Sequence, residues 1–231
     1  HRIARRQRQM CIRDRHYLKF HNITSQKTLF MTATKKIINT NLENTAFTME
    51  NEKVFGKCID EKSVMWAIKN KVITDCKVIV LKPKGNSIRE IIDELDIQIS
   101  DKDIELFMSA YMTLKSIVMY DNLTHILCYT NTTPNANKVE QFINILLDKG
   151  IFSSLSKEQF YNKALHSDNS STKLLQEEVE NMKKKKYGII SCVFIFGEGF
   201  DLPKLNGVCF AENMVSIIRM IQSALRASRI E

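Results

Sequence analysis

No apolar run in this 231-residue chain approaches the roughly 18 residues that a membrane-crossing helix needs. The N-terminus has no apolar stretch of the signal-peptide kind. The six cysteines, Cys11, Cys58, Cys76, Cys128, Cys192 and Cys209, form no C-x-x-C pair, and the five histidines have no metal-ligand spacing. A disulfide framework and a zinc centre therefore find no support. Several cysteines sit in apolar runs such as ILCYT and GVCFA and read as small, reduced core residues. These features together predict a protein that is not secreted and has no membrane partner. The expected place is the cytoplasm or a cytosolic, including viral, replication compartment. No internal repeat is visible. With 44% hydrophobic and 26% charged residues the chain is ordinary for a globular protein, long enough for one large domain or one domain plus part of another.

The net charge of +8 suggests a nucleic-acid partner, but much of it is local. Residues 5–15, RRQRQMCIRDR, resemble the translation of a transposon-based sequencing adapter through QMCIRD. Residues 1–15 carry six arginines and one aspartate, and without them the charge falls to +3. Residues 1–15 are expected to be non-native and to pack against nothing, with native sequence beginning near His16. A genuine basic arm that binds phosphates is the alternative.

The remainder alternates strand-like and helix-like patterns. KTLFMTAT (27–34), CKVIVLK (76–82), THILCYT (124–130), YGIISCVFIF (187–196) and NGVCFAE (206–212) read as strands. Residues 103–122, 134–150, 171–186 and 214–229 have apolar positions at helical spacing. The second of these opens on Pro134 and Asn135 and stops at Gly150. The KKKK run at 183–186 reads as a solvated helix end, and His166 is assigned no chemistry. Such alternation predicts an α/β fold, a parallel sheet with crossover helices. The polar stretch 39–56 reads as a connection, or an irregular hairpin, between a fragment of one domain and a second one.

Ligands of parallel sheets bind at the carboxyl ends of strands. Thr32 and Thr34 end the first run, and Thr130, Asn131 and Thr132 follow ILCY. GEGFDLP (197–203) follows CVFIF, with two glycines that permit a tight turn and the carboxylates Glu198 and Asp201 held on it. The chain then closes on QSALRASR (222–229), which sets Gln222, Arg226 and Arg229 along one helical end.

In this order MTAT (31–34), ILCYTNT (126–132), GEGFDLP and QSALRASR resemble motifs III, IV, V and VI of superfamily 2 helicases. The likeness is to the DEAD/DEAH-related enzymes that include large DNA virus, phage and restriction-system translocases. Residues 62–81 resemble the passage from the first motor domain to the second. The resemblance runs from about Lys27 onward. It implies two RecA-like domains that clamp ATP and magnesium between them and track DNA or RNA, most readily single-stranded. Residues 16–69 would be the end of the first domain with its connection, and 70–231 the second domain, truncated at its end. The sequence has no G-x-x-x-x-G-K-[ST] and no D-E-x-[HD] before MTAT, so the phosphate loop and magnesium ligands are expected upstream of this chain. The 27–34 strand is accordingly expected to lack its sheet partners.

On that resemblance Arg226 and Arg229 act as catalytic arginine fingers, with their fixed charge and planar fork, and Gln222 meets the γ-phosphate or the attacking water. Gly199, Asp201, Glu198, Thr32 and Thr34 fall where the family contacts the nucleotide or couples it to nucleic acid. Glu198 also suits pairing with a structural arginine. Thr130, Asn131 and Ser191 fall where it contacts the nucleic-acid backbone, Ser191 also reading as a buried strand serine. No metal ligand is assigned. Leu225 departs from the pattern, which has glycine before the first arginine, and this puts the helix geometry there in question. Two other readings stand beside the motor. One is a RecA-like nucleic-acid-binding module without catalysis. The other is an unrelated doubly wound transferase that uses GEGFD at its switch point for a nucleotide substrate.

Overall fold

The computed structural model describes residues 26–32, 35, 49–80, 87–166, 172–193 and 204–228. Residues 1–15 and the expected magnesium- and phosphate-binding elements of a first domain lie outside them. Two compact units divide the described chain after Ser63.

Among its described residues the first unit has a short helix, α1 (Glu52–Phe55), whose N-cap Asn51 accepts a hydrogen bond from the Lys53 amide. Phe30 meets Phe55 edge-on at 5.0 Å, and Lys35 pairs with Glu61 at 2.6 Å. Residues 27–32 are not a strand and, Phe30 apart, are exposed. A strand is completed by hydrogen bonds to a neighbour, and no neighbouring strand accompanies this run among the described residues.

The second unit begins with α2 (Val64–Lys69), α3 (Ser87–Glu94) and α4 (Ile104–Met119). Strand β1 (His125–Tyr129) leads to α5 (Thr133–Asp148), and β2 (Phe160–Leu165) leads to α6 (Thr172–Lys183). Strands β3 (Tyr187–Cys192) and β4 (Gly207–Phe210) follow, then α7 (Ile217–Ala224) and a 3₁₀ turn over Leu225–Ala227. All pairings are parallel, in the order β2-β3-β1-β4. The fold class is thus α/β, a parallel sheet with crossover helices, as the alternation of patterns predicts, and it is consistent with the RecA-like kind that the resemblance implies.

Every residue of β1 is buried, as are five of the six in β3, because these are the central strands of a sheet covered on both faces. Ile126, Cys128 and Ile189 point to one face. There they join Phe107, Ala110, Leu114 and Ile117 of α4 and Val139, Ile143 and Leu146 of α5 in one core. Phe107 and Phe142 close the α4–α5 contact edge-on at 5.5 Å. His125, Leu127 and Tyr129 point to the other face, where the His125 ring meets the Met182 carbonyl at 3.3 Å and α6 buries Leu175, Val179 and Met182.

Local chemistry sets the helix ends. The Thr132 hydroxyl caps α5 by accepting from the Asn135 amide at 3.3 Å, and Pro134 occupies the first turn. Gly150 ends it at φ +64°, its amide donating to the Leu147 carbonyl. The edge strand β2 is held through polar groups. Glu140 accepts the Ala164 amide at 2.8 Å, and Asn162 donates to the Glu140 carbonyl and to Asn144. On its other face Tyr161 donates to Glu178 at 2.6 Å, and Lys163 pairs with the same carboxylate.

Two segments differ from the sequence reading beside residues 27–32. Residues 76–80 include the β-branched Val78, Ile79 and Val80 but form no strand, and all are exposed. Helix α7 stops at Ala224 rather than continuing to 229, the chain tightening into the 3₁₀ turn and leaving helical geometry at Ser228 (φ −101°, ψ 22°). The KKKK run does end a helix: α6 stops at Lys183, where Lys183 pairs with Glu180 at 2.7 Å. No helix among the described residues is long and apolar enough to cross a membrane.

A Cβ on Gly188 would fall 2.4 Å from Met182 Cγ and 2.9 Å from His125 Cδ2, so β3 and α6 approach there only because glycine has no side chain. Gly188→Ala is expected to destabilise the domain by about 1–3 kcal/mol in urea unfolding. Met182→Ala in the same chain should recover part of that loss, and strict additivity of the two changes would refute the contact as its cause.

Candidate functional site

The carboxyl ends of β1, β3 and β4 lie side by side, since the three strands are parallel neighbours. Beyond β1 the Thr130 amide donates to the Cys192 carbonyl at 3.0 Å, joining β1 to β3. The Thr130 hydroxyl donates to the Thr132 carbonyl at 3.2 Å. Thr130 is buried, so its hydroxyl serves the turn into α5. Asn131 is exposed at the edge.

Beyond β4 the Ala211 amide donates to the Tyr129 carbonyl at 2.9 Å, and the next residue, Glu212, turns its carboxylate toward the β1–α5 loop. One oxygen accepts the Asn131 backbone amide at 2.7 Å and the other accepts the Asn135 side-chain amide at 2.9 Å. The Asn131 side chain donates to the Asn213 carbonyl at 3.1 Å. Because a carboxylate only accepts, the nitrogen of the Asn135 amide must be the atom that faces it.

The chain then runs to α7, whose Ser216 hydroxyl caps the helix by accepting from the Arg219 amide. Gln222 and Arg226 lie one turn apart and are both half-buried. The far end is docked: Ser223 and Ser228 are buried, and the Ser228 carbonyl accepts the Thr74 amide at 2.9 Å. Tyr129, buried at the end of β1, stacks on Phe210 at 6.0 Å. Burial pushes its phenol well above the ordinary tyrosine range, with Cys192 adding to the shift and Ser223 and the Arg226 charge opposing it. The C-terminal turn packs beside β4.

The structure thus brings Thr130, Asn131, Gln222 and Arg226 to the carboxyl edge of the second unit. Ser191 is fully buried inside β3, in register with Cys128 and Ala164. Thr32 is exposed and belongs to the first unit. Thr34, Glu198, Gly199, Asp201 and Arg229 lie outside the described residues. Glu212, Asn135 and Tyr129 are not site candidates in the sequence reading, where Asn135 serves only as a helix start. Glu212 had a signal, as the first polar residue after a strand, but a single glutamate without a motif around it does not stand out. Among the described residues no group of three or more His, Cys, Asp or Glu side chains is placed to hold a metal ion.

No protein-family profile matches the chain, and no curated protein matches its sequence. Among solved structures the chain is similar to the ATP-dependent Type ISP restriction-modification enzyme LlaBIII bound to DNA. The TM-score is 0.61 at 19% identity, over 86% of this chain and 14% of that one. It also resembles the Hef helicase domain of Pyrococcus furiosus, with a TM-score of 0.37 at 15% identity over 61% of this chain and 26% of that one. The first likeness establishes the fold, and the chain spans about one seventh of that enzyme's length.

An unfolded tyrosine ionises near pH 10. Tyr129 in the fold holds its proton to higher pH, so above about pH 10 the unfolded state binds fewer protons and stability falls as pH rises. Tyr161, raised by burial and by Glu178, acts in the same sense. The stability these phenols contribute is complete below pH 10 and is lost through the alkaline range above it. Urea unfolding between pH 8 and 11 should show this decline, and Tyr129→Phe should make it shallower. An unchanged slope in that variant would count against the buried phenol.

Proposed function

We propose that this chain is a piece of an ATP-dependent nucleic-acid helicase or translocase. It would comprise the end of a first motor domain, within residues 16–69, and most of a second RecA-like domain from about residue 70. The observation that carries the reading is the coincidence of two independent facts. Four segments resemble superfamily 2 motifs in that family's order, and hydrogen bonds join the loop after ILCY to the chain leading into α7, which bears Gln222 and is followed by the turn with Arg226. The likeness of the fold to a segment of an ATP-dependent enzyme that was solved on DNA supports it.

In this reading Arg226 and Arg229 face the nucleotide from the second domain. Each guanidinium offers a fixed charge and paired donors to phosphate oxygens, where charge grows as the phosphoryl group transfers. Gln222, one turn earlier, orients the γ-phosphate or the attacking water. Glu198, Gly199 and Asp201 contact the nucleotide or the arginines, and Thr32 and Thr34 couple the nucleotide to the nucleic acid from the first domain. Asn131 is the exposed group of the nucleic-acid set. Thr130 spends its hydroxyl on the turn and Ser191 is enclosed by the sheet, so these two support the loop more than they touch a phosphate. DNA or RNA, single-stranded, is the track. ATP supplies the transferred phosphoryl group, and the described residues do not form a magnesium site, so the metal would be held by the complete protein's first domain.

In the complete protein, Arg226→Ala and Arg229→Ala are each expected to lower nucleic-acid-stimulated ATP turnover by about 10³-fold or more while ATP binding changes only a few-fold. Arg226→Lys should not restore the rate, because an ammonium lacks the planar fork. Steady-state ATPase with saturating single-stranded DNA or RNA measures this, and wild-type turnover in both alanine variants would overturn the assignment. The 231-residue chain by itself should show no magnesium-dependent turnover, and appreciable hydrolysis by it would sink the half-motor reading.

A further inference from the structure

Helix α7 buries little of itself between its two ends. No residue from 213 to 222 is buried: Val215 is fully exposed and Ile217 is 71% exposed. Ser223 alone of the helix is buried. At the downstream end Ser223 and Ser228 dock near Tyr129 and Thr74. At the upstream end the chain is fastened by Glu212 and Asn213. The Glu212 carboxylate takes one hydrogen bond from the Asn131 backbone and one from the Asn135 side chain, and the Asn213 carbonyl takes one from the Asn131 side chain. Hydrogen bonds to a carboxylate are among the stronger of their kind. An element with so little buried surface depends on its few anchors for stability.

We infer that Glu212 is a positioning residue that links the β1–α5 loop to the helix bearing Gln222 and Arg226. The loop and the start of α7 share one carboxylate and one asparagine, so a displacement of Asn131 is transmitted to the leader of α7. The docked Ser223–Ser228 end then pivots on the Tyr129 side. Resting on the proposed motor reading, the consequence is a route by which a strand contacting Asn131 alters how Arg226 is presented. Neither Glu212 nor Asn135 needs to touch nucleotide or nucleic acid for this.

The link itself is testable without either ligand. Amide hydrogen exchange would be followed in the 231-residue chain, in Asn135→Ala, in Glu212→Gln and in the double variant. Asn135 lies more than 80 residues before α7. Its substitution should nevertheless raise exchange of the α7 amides, Met220 onward, by about tenfold, the size one charge-assisted hydrogen bond carries. Amides of β1 and β3, such as Gly188, should be unchanged. Glu212→Gln, which keeps the shape and loses the charge, should act likewise. The double variant should exchange no faster than the faster single one, because both remove the same link. Unchanged α7 exchange in the single variants, or effects that add, would overturn the proposal. Should Asn135→Ala raise exchange throughout the sheet, Glu212→Gln decides by the same criterion. A chain that passes here while the complete protein fails the ATPase test keeps the link and loses the motor reading.

Discussion

Strand β1 is the constraint on which the second unit depends. Its five residues are buried, and it pairs on both sides, with β3 and β4. A strand so placed must give its backbone hydrogen bonds to neighbours and both rows of side chains to packed helices, since neither face reaches water. Parallel pairing then requires a crossover between strands, which α5 supplies from β1 to β2 and α6 from β2 to β3. The same requirement aligns the carboxyl ends, so the loops after β1 and β4 meet whatever residues they carry.

The polar groups at this edge first satisfy the fold. The Thr130 amide completes the β1–β3 ladder, and the Glu212 carboxylate accepts two donors from the loop that would otherwise hold them toward solvent. Such groups are costly to leave unpaired, and their mutual satisfaction gives the loop one conformation. The proposed contacts to ligand fall to Asn131 at the rim, whose side chain also donates to the Asn213 carbonyl, and to the arginine-bearing turn. The opposite edge is different in kind. Lys183 pairs with Glu180, and Lys185 donates to the Glu158 carbonyl, as solvated groups at a helix end do.

Legibility followed burial. The runs around Leu127 and Ile190 read as strands because central strands are apolar throughout, and the half-buried edge strand around Val208 is apolar as well. Residues 134–150 read as a helix because Pro134 and Gly150 mark its ends and Val139, Ile143, Leu146 and Leu147 keep its period. Strand β2 escaped notice: FYNKAL carries Asn162 and Lys163, whose partners Glu140, Asn144 and Glu178 come from helices distant in sequence. Helix α3 is short and follows a proline-bearing segment, and it too was unread. CKVIVLK misled in the opposite sense, since β-branched residues favour a strand only where a neighbour completes it. At the edge, Gln222 and Arg226 were legible as a spaced pair, whereas Glu212 and Tyr129 acquire meaning only from what they face.

The sequence alone determined the alternation of strand and helix, the parallel α/β class and the order of the four motif-like segments. These are local properties, carried by side-chain period, caps and turn residues that act within a few positions. The tertiary structure decided which strands are neighbours, that Glu212 meets a loop some 80 residues earlier, and that the C-terminal helix tightens at Leu225 beside β4. Those outcomes depend on hydrogen bonds and burial between distant segments. Their energy exists only once the sheet has assembled, so no window of sequence contains it.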